Sequence, residues 1–274
     1  MVDNDRGAPG LEWDGHLLLL HQTEDERLSG LTEWVRRGLD LGEKIIYTEV
    51  RRTPEDSLLA VLTARGVDVG EAVYNGSLVV LPPREFYPRN GQRGVAERAL
   101  AEGFAAVRIS AEATTALSIL PPGVVNGVEG QIDELVRTAP VHAMCQYEQA
   151  ATTGPWLDAA VASHLTGVRQ STFATSQALD GLALHGEVDA TNTDVFAAVI
   201  TAASHSASRV LWLDLPELTY LDAGCCWRLD DATRSFRAAG GHVLLVAPPP
   251  PVERTMRMLE VDELPGVHLV DGEG

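Results

Sequence analysis

The chain has 274 residues, 45% of them hydrophobic, which is enough for about two ordinary globular domains. Its 21 basic and 39 acidic side chains give a formal net charge of −18, which argues against binding to nucleic acid or to an anionic membrane surface. Three cysteines, two of them adjacent, do not form the pattern of a disulfide framework.

The first segment, residues 1–12, is polar and acidic, so we predict a flexible tail there and no signal peptide. No apolar run approaches the roughly 18 residues that a membrane-spanning helix needs. We therefore expect a cytoplasmic protein that does not enter a membrane.

Residues 13–166 alternate buried strands with amphipathic helices, which is typical of an α/β domain with a parallel sheet. The first helix carries Leu28, Leu31, Val35 and Leu39 on one face. The pattern predicts strands at 16–20, 43–50, 77–82, 104–113 and 141–148, and helices at 24–42 and 54–66.

A polar stretch, residues 167–177, is the best candidate for a linker between two domains. The alternation then restarts and predicts a smaller α/β domain over 178–274. Its predicted strands are 178–188, 208–215 and 242–248, and its predicted helices are 193–204, 224–240 and 252–261.

Three segments of the second domain occur in a recognisable order: "GEVDATN" (186–192), "LDLPELTYLDAG" (213–224) and "VERTM" (252–256). With their surroundings, residues 178–272 resemble the STAS domain of anti-sigma factor antagonists. The resemblance implies a protein partner, an anti-sigma factor or a related kinase, bound near residues 189–193 and 219–226. It also implies a switch, because members carry a Ser or Thr after the aspartate at a helix N-terminus, and phosphorylation there breaks the complex.

The matching positions in this chain are Ala223 and Gly224, which have no hydroxyl to phosphorylate. Asp189 and Asp222 each precede a predicted helix and are expected to cap it. Cys225 and Cys226 follow, either as small buried groups or as a redox pair at a helix N-terminus. The candidate partner contacts that the resemblance implies are Asp189, Thr191, Tyr220, Asp222, Ala223 and Gly224.

The start of the chain has the outline of a RecA-like ATPase: a strand, a loop, a helix, "GEK" (42–44) and a second strand. A working phosphate loop needs a glycine-rich turn and a lysine, and "HQTEDERLSG" (21–30) has neither. The acids Glu24, Asp25 and Glu26 would also repel a triphosphate. We predict no ATP hydrolysis and, in the absence of other catalytic motifs, no enzyme activity.

Residues 12–166 also resemble the MEDS domain, a sensory module of bacterial signalling proteins. The segments that carry the resemblance are "GHLLLLHQTEDE" (15–26), "GEKIIYTE" (42–49), "GSLVVLPPREFYPRNG" (76–91), "GFAAVRISAEATTAL" (103–117) and "VHAMCQYE" (141–148). The resemblance implies a small hydrophobic ligand, such as a hydrocarbon derivative.

Because the ends of parallel strands converge on one crevice, five side chains are candidates for a single ligand pocket. These are His16, Glu112, Cys145, Gln146 and Tyr147. His16 is equally a strand-start histidine bonded to backbone, and Glu112 could instead pair with Arg108 or cap a helix. The His16–Cys145 pair falls short of the roughly four ligands that zinc takes, so we predict no metal and no cofactor.

We therefore expect a two-domain signalling regulator in which an N-terminal RecA-like α/β domain senses a ligand and a C-terminal STAS domain binds a protein partner. Ligand binding is expected to change how the partner-binding face is presented. Three alternatives remain open: a STAS-mediated homodimer or scaffold, a nucleotide hydrolase with an unusual loop, and, less favoured, a DNA-binding regulator.

Overall fold

The structure is a computed structural model that describes residues 11–50, 57–87, 92–120 and 122–271. The chain forms two compact units, Glu12–Thr152 and a second unit that begins at Thr153. Both are built from strands and helices, so the predicted α/β class is confirmed. Residues 1–10 of the predicted tail, residues 88–91 and the start of the second predicted helix lie outside the described residues.

The N-terminal unit alternates strands with helices along its whole length. Its elements are β1 (His16–His21), α1 (Glu24–Asp40), β2 (Lys44–Thr48), α2 (Leu58–Ala64), α3 (Val69–Tyr74), β3 (Leu78–Leu81), α4 (Pro83–Phe86), α5 (Arg93–Ala101), β4 (Val107–Glu112), α6 (Ala113–Leu117), α7 (Pro122–Thr138) and β5 (Val141–Glu148).

The strands of this unit form a parallel sheet in the order β1-β5-β4-β2-β3. Strands β1 and β5 pair from His16 opposite Ala143 to His21 opposite Glu148. All five strands therefore end at the same edge of the sheet, which we call the carboxyl edge.

A hydrophobic core lies on each face of this sheet, because side chains of a strand alternate between the two faces. On one face Leu17 and Leu19 of β1 pack with Leu31, Trp34 and Val35 of α1. The other core takes residues of β4, α5 and α7. Leu31 and Val35 of the predicted apolar face of α1 are buried, as expected. Trp34, which was not predicted to lie on this face, is also fully buried.

The opposite edge of the sheet, where the strands begin, contains a buried arginine. The Arg108 side chain is fully buried, donates hydrogen bonds to Glu43, Asp14 and the Trp13 carbonyl, and lies 5.3 Å from the Trp34 ring. A side chain on Gly38 would put its Cβ within 2.6 Å of Arg108, so glycine provides the space.

The C-terminal unit has the elements α8 (Pro155–Ser163), β6 (Val168–Arg169), β7 (Phe173–Gln177), β8 (Leu182–Val188), α9 (Thr193–Ser206), β9 (Val210–Asp214), β10 (Leu218–Leu221), α10 (Ala223–Ala238), β11 (His242–Val246), α11 (Pro250–Met258) and β12 (Val267–Val270).

Within this unit the strand order is β6-β7-β8-β9-β11-β12, with β10 beside β8. Strand β7 is antiparallel to β6 and β8, whereas β8, β9, β10, β11 and β12 pair in parallel. The segment 167–177, predicted as a linker, instead contains β6 and β7. Its polar residues are tolerated because backbone pairing holds the strand, for example through Thr175 opposite Leu184.

Gly186 lies where the partner of β8 changes. The first half of β8 pairs with β9, and the second half pairs with β10 after the turn at Pro216. Gly186 has φ +85°, and a Cβ there would lie 2.1 Å from the Thr172 carbonyl oxygen. That oxygen accepts the Glu187 N–H at 2.7 Å, so it cannot move away without loss of a sheet hydrogen bond.

An unfavourable φ alone costs about 1–3 kcal/mol. We expect Gly186→Ala to lower the free energy of unfolding of the C-terminal unit by more than this amount. Gly240→Ala is the matched control, because Gly240 has φ +88° but no atom within 4 Å of the place that a Cβ would take. Urea unfolding of both variants gives the comparison. Equal losses in the two variants would mean that the close approach at Gly186 is unimportant.

Candidate functional site

The carboxyl edge of the N-terminal sheet carries a buried arginine, Arg27 of α1. It donates to Gln146 at 2.9 Å and to Tyr47 at 3.3 Å, and it pairs with Glu24 at 2.5 Å and with Glu112 at 3.3 Å. Two carboxylates therefore compensate the one cation. The guanidinium supports the end of the sheet and leaves little positive charge for an anionic ligand.

The N-terminus of α1, where a phosphate loop would place its phosphate, carries a capping box. The Thr23 hydroxyl accepts the Glu26 N–H at 3.2 Å, and the Glu26 carboxylate accepts the Gln22 N–H at 2.7 Å. Thr23 and Glu26 form a capping box, since Glu26 also accepts the Thr23 N–H, and the box satisfies one backbone donor of the first turn, that of Glu26. Glu24 and Asp25 add negative charge in the same turn.

A partly open cavity of about 20 Å³ lies under the carboxyl edge, on the face of the sheet that α6 and α7 cover. Most of its lining residues are apolar, and the polar ones are Tyr87, Ser110, Glu112, Glu129, Cys145 and Tyr147. A space of this size holds about one water, so a larger ligand would have to displace side chains. The apolar lining comes from Phe86, Ile109, Ala111, Ala116, Ile132 and Ala143.

Three of the five predicted ligand residues belong to β5, and they lie on opposite faces of this strand. Cys145 and Tyr147 line the cavity, whereas Gln146 points to the other face and bonds Ser110 and Arg27. The prediction of a single pocket is therefore wrong for Gln146, since adjacent residues of a strand face opposite sides. Glu112 reaches the cavity but pairs with Arg27, not Arg108, and makes no side-chain cap.

His16, the remaining candidate, contacts Cys145 and an acid that the sequence did not single out, Glu129 of α7. Cys145 Sγ lies 3.3 Å from Glu129 Oε2 and 3.7 Å from His16 Nε2, and these last two atoms are 3.5 Å apart. Tyr147 donates its hydroxyl to Glu129 Oε1 at 2.6 Å. Burial, with the nearby Glu129 charge, raises the pKa of the Cys145 thiol well above its usual value.

In the C-terminal unit the candidate partner residues surround the N-terminus of α10. Asp222 is the N-cap of this helix, and its carboxylate accepts the Cys225 N–H at 2.7 Å. The predicted cap is confirmed. Ala223 and Gly224 form the exposed first turn.

Asp189 is not a helix cap, contrary to the prediction. The N-cap of α9 is Asn192, and Asp189 instead accepts the Thr191 N–H at 2.7 Å and the Thr191 hydroxyl at 2.6 Å. These hydrogen bonds lower the pKa of the Asp189 carboxyl and fold the loop between β8 and α9. Thr191 itself is exposed.

Cys225 and Cys226 are buried beneath this surface. Burial raises the pKa of Cys225 to about 12 and that of Cys226 to about 11. A redox-reactive thiol needs a lowered pKa and exposure, so the small-residue interpretation of the pair is the better supported one.

Two exposed aromatic side chains border the same turn. Tyr220 at the end of β10 is 49% exposed, and Trp227 on the second turn of α10 is 58% exposed. Trp227 was not among the predicted contacts, although its spacing from Ala223 and Gly224 puts it on the same exposed helical face. Exposed aromatics beside a helix N-terminus are typical of protein-binding surfaces.

Comparison with known proteins finds two families in the same order as the two units, although the first match extends beyond Thr152 and includes α8. The family model described as "MEthanogen/methylotroph, DcmR Sensory domain" (MEDS) matches residues 15–165, just over half of the chain. The chain belongs to the MEDS family. A second model, "Mlab, STAS domain", matches residues 171–271, so a STAS domain follows the MEDS domain.

No curated protein matches the chain. Among solved structures, the anti-sigma factor antagonist SpoIIAA in its unphosphorylated form matches at 17% identity, with a TM-score of 0.31. That match covers 37% of this chain and 89% of the SpoIIAA chain. Among the described residues no helix is long and apolar enough to cross a membrane.

A MEDS sensory domain joined to a STAS domain makes this chain a signalling regulator. The MEDS domain contributes a small, partly open cavity with a His–Cys–Glu cluster at its side. The STAS domain contributes an exposed, uncharged helix turn bordered by aromatic side chains.

Proposed function

We propose that the STAS domain binds an anti-sigma factor or a related kinase, and that the MEDS domain controls this binding in response to a small apolar ligand. The observation that carries the proposal is the exposed first turn of α10, with Ala223 and Gly224 at its tip and Tyr220 beside it. An uncharged turn between exposed aromatics offers a partner a surface that costs little to desolvate.

Phosphorylation does not release the partner in this proposal. Ala223 and Gly224 have no oxygen to accept a phosphoryl group, and the thiols behind them are buried. Release must then come from a shift in the population of binding-competent conformations, which a ligand achieves only if it prefers one conformation. In this proposal the ligand binds to the MEDS domain and prefers one of its conformations.

A small apolar molecule suits the cavity of the MEDS domain. The walls are apolar side chains with few polar groups, as in other ligand pockets. Because the cavity has space for about one water, binding would require the side chains of α6 and α7 to move. Through this movement, a ligand in the cavity would affect the binding of the protein partner.

We propose further that the chain is not a nucleotide hydrolase. The Thr23 hydroxyl occupies one backbone donor of the first turn of α1, the acids Glu24, Asp25 and Glu26 add negative charge there, and Glu24 compensates Arg27. Calorimetric titration with Mg·ATP is therefore expected to give no heat of binding at millimolar nucleotide. Saturable binding of ATP would contradict this and would favour the enzymatic alternative.

The docking proposal is tested by Tyr220→Ala in the full chain. Against an anti-sigma factor of the kinase type from the same genome, we expect this variant to raise Kd by roughly 5- to 30-fold, the usual effect of truncating an interface aromatic. Tyr74→Ala is the matched control, because Tyr74 is 94% exposed and belongs to the MEDS domain. The control is expected to leave Kd unchanged within about twofold.

Light scattering of the same proteins separates the proposal from self-association. A partner complex that Tyr220→Ala weakens supports the proposal. A homodimer that Tyr220→Ala dissociates, with no binding of the anti-sigma factor, would replace docking by the scaffold alternative.

A further inference from the structure

Three side chains of the MEDS domain bring a nitrogen, an oxygen and a sulfur atom, each a potential metal ligand, close together. They are His16 at the start of β1, Glu129 in the middle of α7 and Cys145 in β5, and no two of their ligand atoms (Nε2, Oε2 and Sγ) are more than 3.7 Å apart. The His16 side chain is 5% exposed and that of Glu129 is 11% exposed, so the cluster is not a chance meeting of surface groups.

The spacing of the three atoms fits one face of a tetrahedron. The sulfur, nitrogen and oxygen atoms are separated by 3.3, 3.7 and 3.5 Å. Zinc bonds of about 2.3 Å to sulfur and about 2.0–2.1 Å to nitrogen and oxygen predict separations of about 3.3–3.6 Å between tetrahedral ligands. An ion can therefore enter this triangle with movements of only a few tenths of an ångström.

The groups behind these three residues are those that support a metal centre. The second ring nitrogen of His16, Nδ1, lies 3.7 Å from Asp133 Oδ1, which is one turn of α7 beyond Glu129. The second oxygen of Glu129 accepts the Tyr147 hydroxyl at 2.6 Å. A carboxylate behind a ligating histidine and a hydrogen bond on a ligating carboxylate both orient ligands toward the ion.

We propose that His16, Glu129 and Cys145 bind one Zn²⁺ ion through Nε2, Oε2 and Sγ. The ion replaces the thiol proton, which is released to solvent, and its charge balances the thiolate and the carboxylate. A set of one sulfur, one nitrogen and one oxygen favours zinc over the harder Mg²⁺ and Ca²⁺.

The fourth position of this zinc is not filled by these three residues. Glu129 and Cys145 both line the cavity, so the ion would lie at the cavity wall. The metal site is independent of the docking function proposed above, since it requires only contacts within the MEDS domain.

The test uses the full chain, reduced and stripped of metal with a chelator, with Co²⁺ as a spectroscopic probe and Zn²⁺ as a competitor. We expect one Co²⁺ per chain, with thiolate-to-cobalt charge-transfer absorption and the visible bands of tetrahedral Co²⁺, both abolished by one equivalent of Zn²⁺. X-ray absorption of the zinc-loaded chain is expected to show one sulfur at about 2.3 Å and lighter atoms at about 2.0–2.1 Å.

Variants assign the ligands. Cys145→Ser and Glu129→Gln are expected to weaken Zn²⁺ binding by more than about 100-fold, and Tyr147→Phe by about 10-fold, as for groups that support a ligand. His268→Gln is the matched control, because it removes the exposed His242–His268 pair, a site where metal could bind adventitiously. That control is expected to keep the bound zinc and its absorption spectrum.

Less than one bound metal per chain, or a zinc spectrum without sulfur, would overturn the proposal. Unchanged affinity in Cys145→Ser would do the same and would leave the cluster as a hydrogen-bonded network. The X-ray absorption measurement on the unmodified chain decides the matter even where a variant fails to fold.

Discussion

Replacing Ala223 with serine is expected to convert the STAS domain into a kinase substrate. Ala223 is the exposed first residue of α10, directly after the Asp222 cap, so a hydroxyl fits there without a clash. With ATP and a kinase-type anti-sigma factor that binds the chain, the Ala223→Ser variant should acquire about one phosphate on the peptide 219–226. The unmodified chain should acquire none there.

The modified serine is also expected to weaken the complex by at least tenfold, because a phosphate adds about −1.5 to −2 charges to an otherwise uncharged turn. Mass spectrometry gives the site, and a binding titration before and after phosphorylation gives the affinity. The matched control is Ala238→Ser, an exposed position at the other end of the same helix. Phosphate on the peptide 219–226 of the unmodified chain would contradict the proposal that the STAS domain lacks the phosphorylation switch.

Replacing Arg108 with alanine is expected to cost about 3–5 kcal/mol of stability, the largest loss we expect from a single substitution in the MEDS domain. Arg108 is fully buried and is the cation between Glu43 and Asp14. Its removal leaves the Glu43 carboxylate buried without that charge and opens a space beside Trp34. Urea unfolding, followed by tryptophan fluorescence, measures the loss.

Arg36→Ala is the matched control for Arg108→Ala. Arg36 makes an exposed ion pair with Glu33, and both residues lie on α1. Exposed pairs of this kind contribute about 0.5 kcal/mol or less. A loss of under 1 kcal/mol in Arg108→Ala would show that the buried cluster is dispensable.

The acid dependence of stability follows from the same cluster. A hydrogen bond from Arg37, with further help from Arg108, lowers the pKa of Asp14 to about 2, although burial acts in the opposite direction. Its stabilising contribution is therefore complete above about pH 4, where an unfolded aspartate is ionised, and is lost as the pH falls toward 2. In Arg108→Ala this acid-dependent part should shrink but not vanish, because Arg37 remains.

Most strands could be predicted from their residues, since a buried strand of a parallel sheet is a short, nearly continuous apolar run. Strand β5 (Val141–Glu148) was predicted with its observed bounds. Strand β7 (Phe173–Gln177) was missed because its polar side chains look like a linker, and it is held by backbone pairing to β8. Helix α7 was missed because its glycines and prolines hide its periodicity.

The local geometry around Asp222 in the STAS domain could be predicted more fully than the contacts of His16 and Cys145 in the MEDS domain. Asp222, Ala223 and Gly224 lie within one helix turn, so their order in the chain is enough to predict how they are placed. Glu129, in contrast, comes 113 positions after His16, in the helix that the pattern did not reveal. Nothing in its neighbours marks it as a partner of Cys145.

The amino-acid sequence by itself therefore determined the two α/β domains, the absence of a hydroxyl at the two positions after Asp222 and the lack of a glycine-rich turn and a lysine in residues 21–30. Each of these depends on residue type and on contacts within a few positions. Only the tertiary structure decided that Gln146 faces away from Cys145 and that His16, Glu129 and Cys145 meet. Strand alternation and the packing of α7 on the sheet set those distances, and both arise only when remote segments fold together.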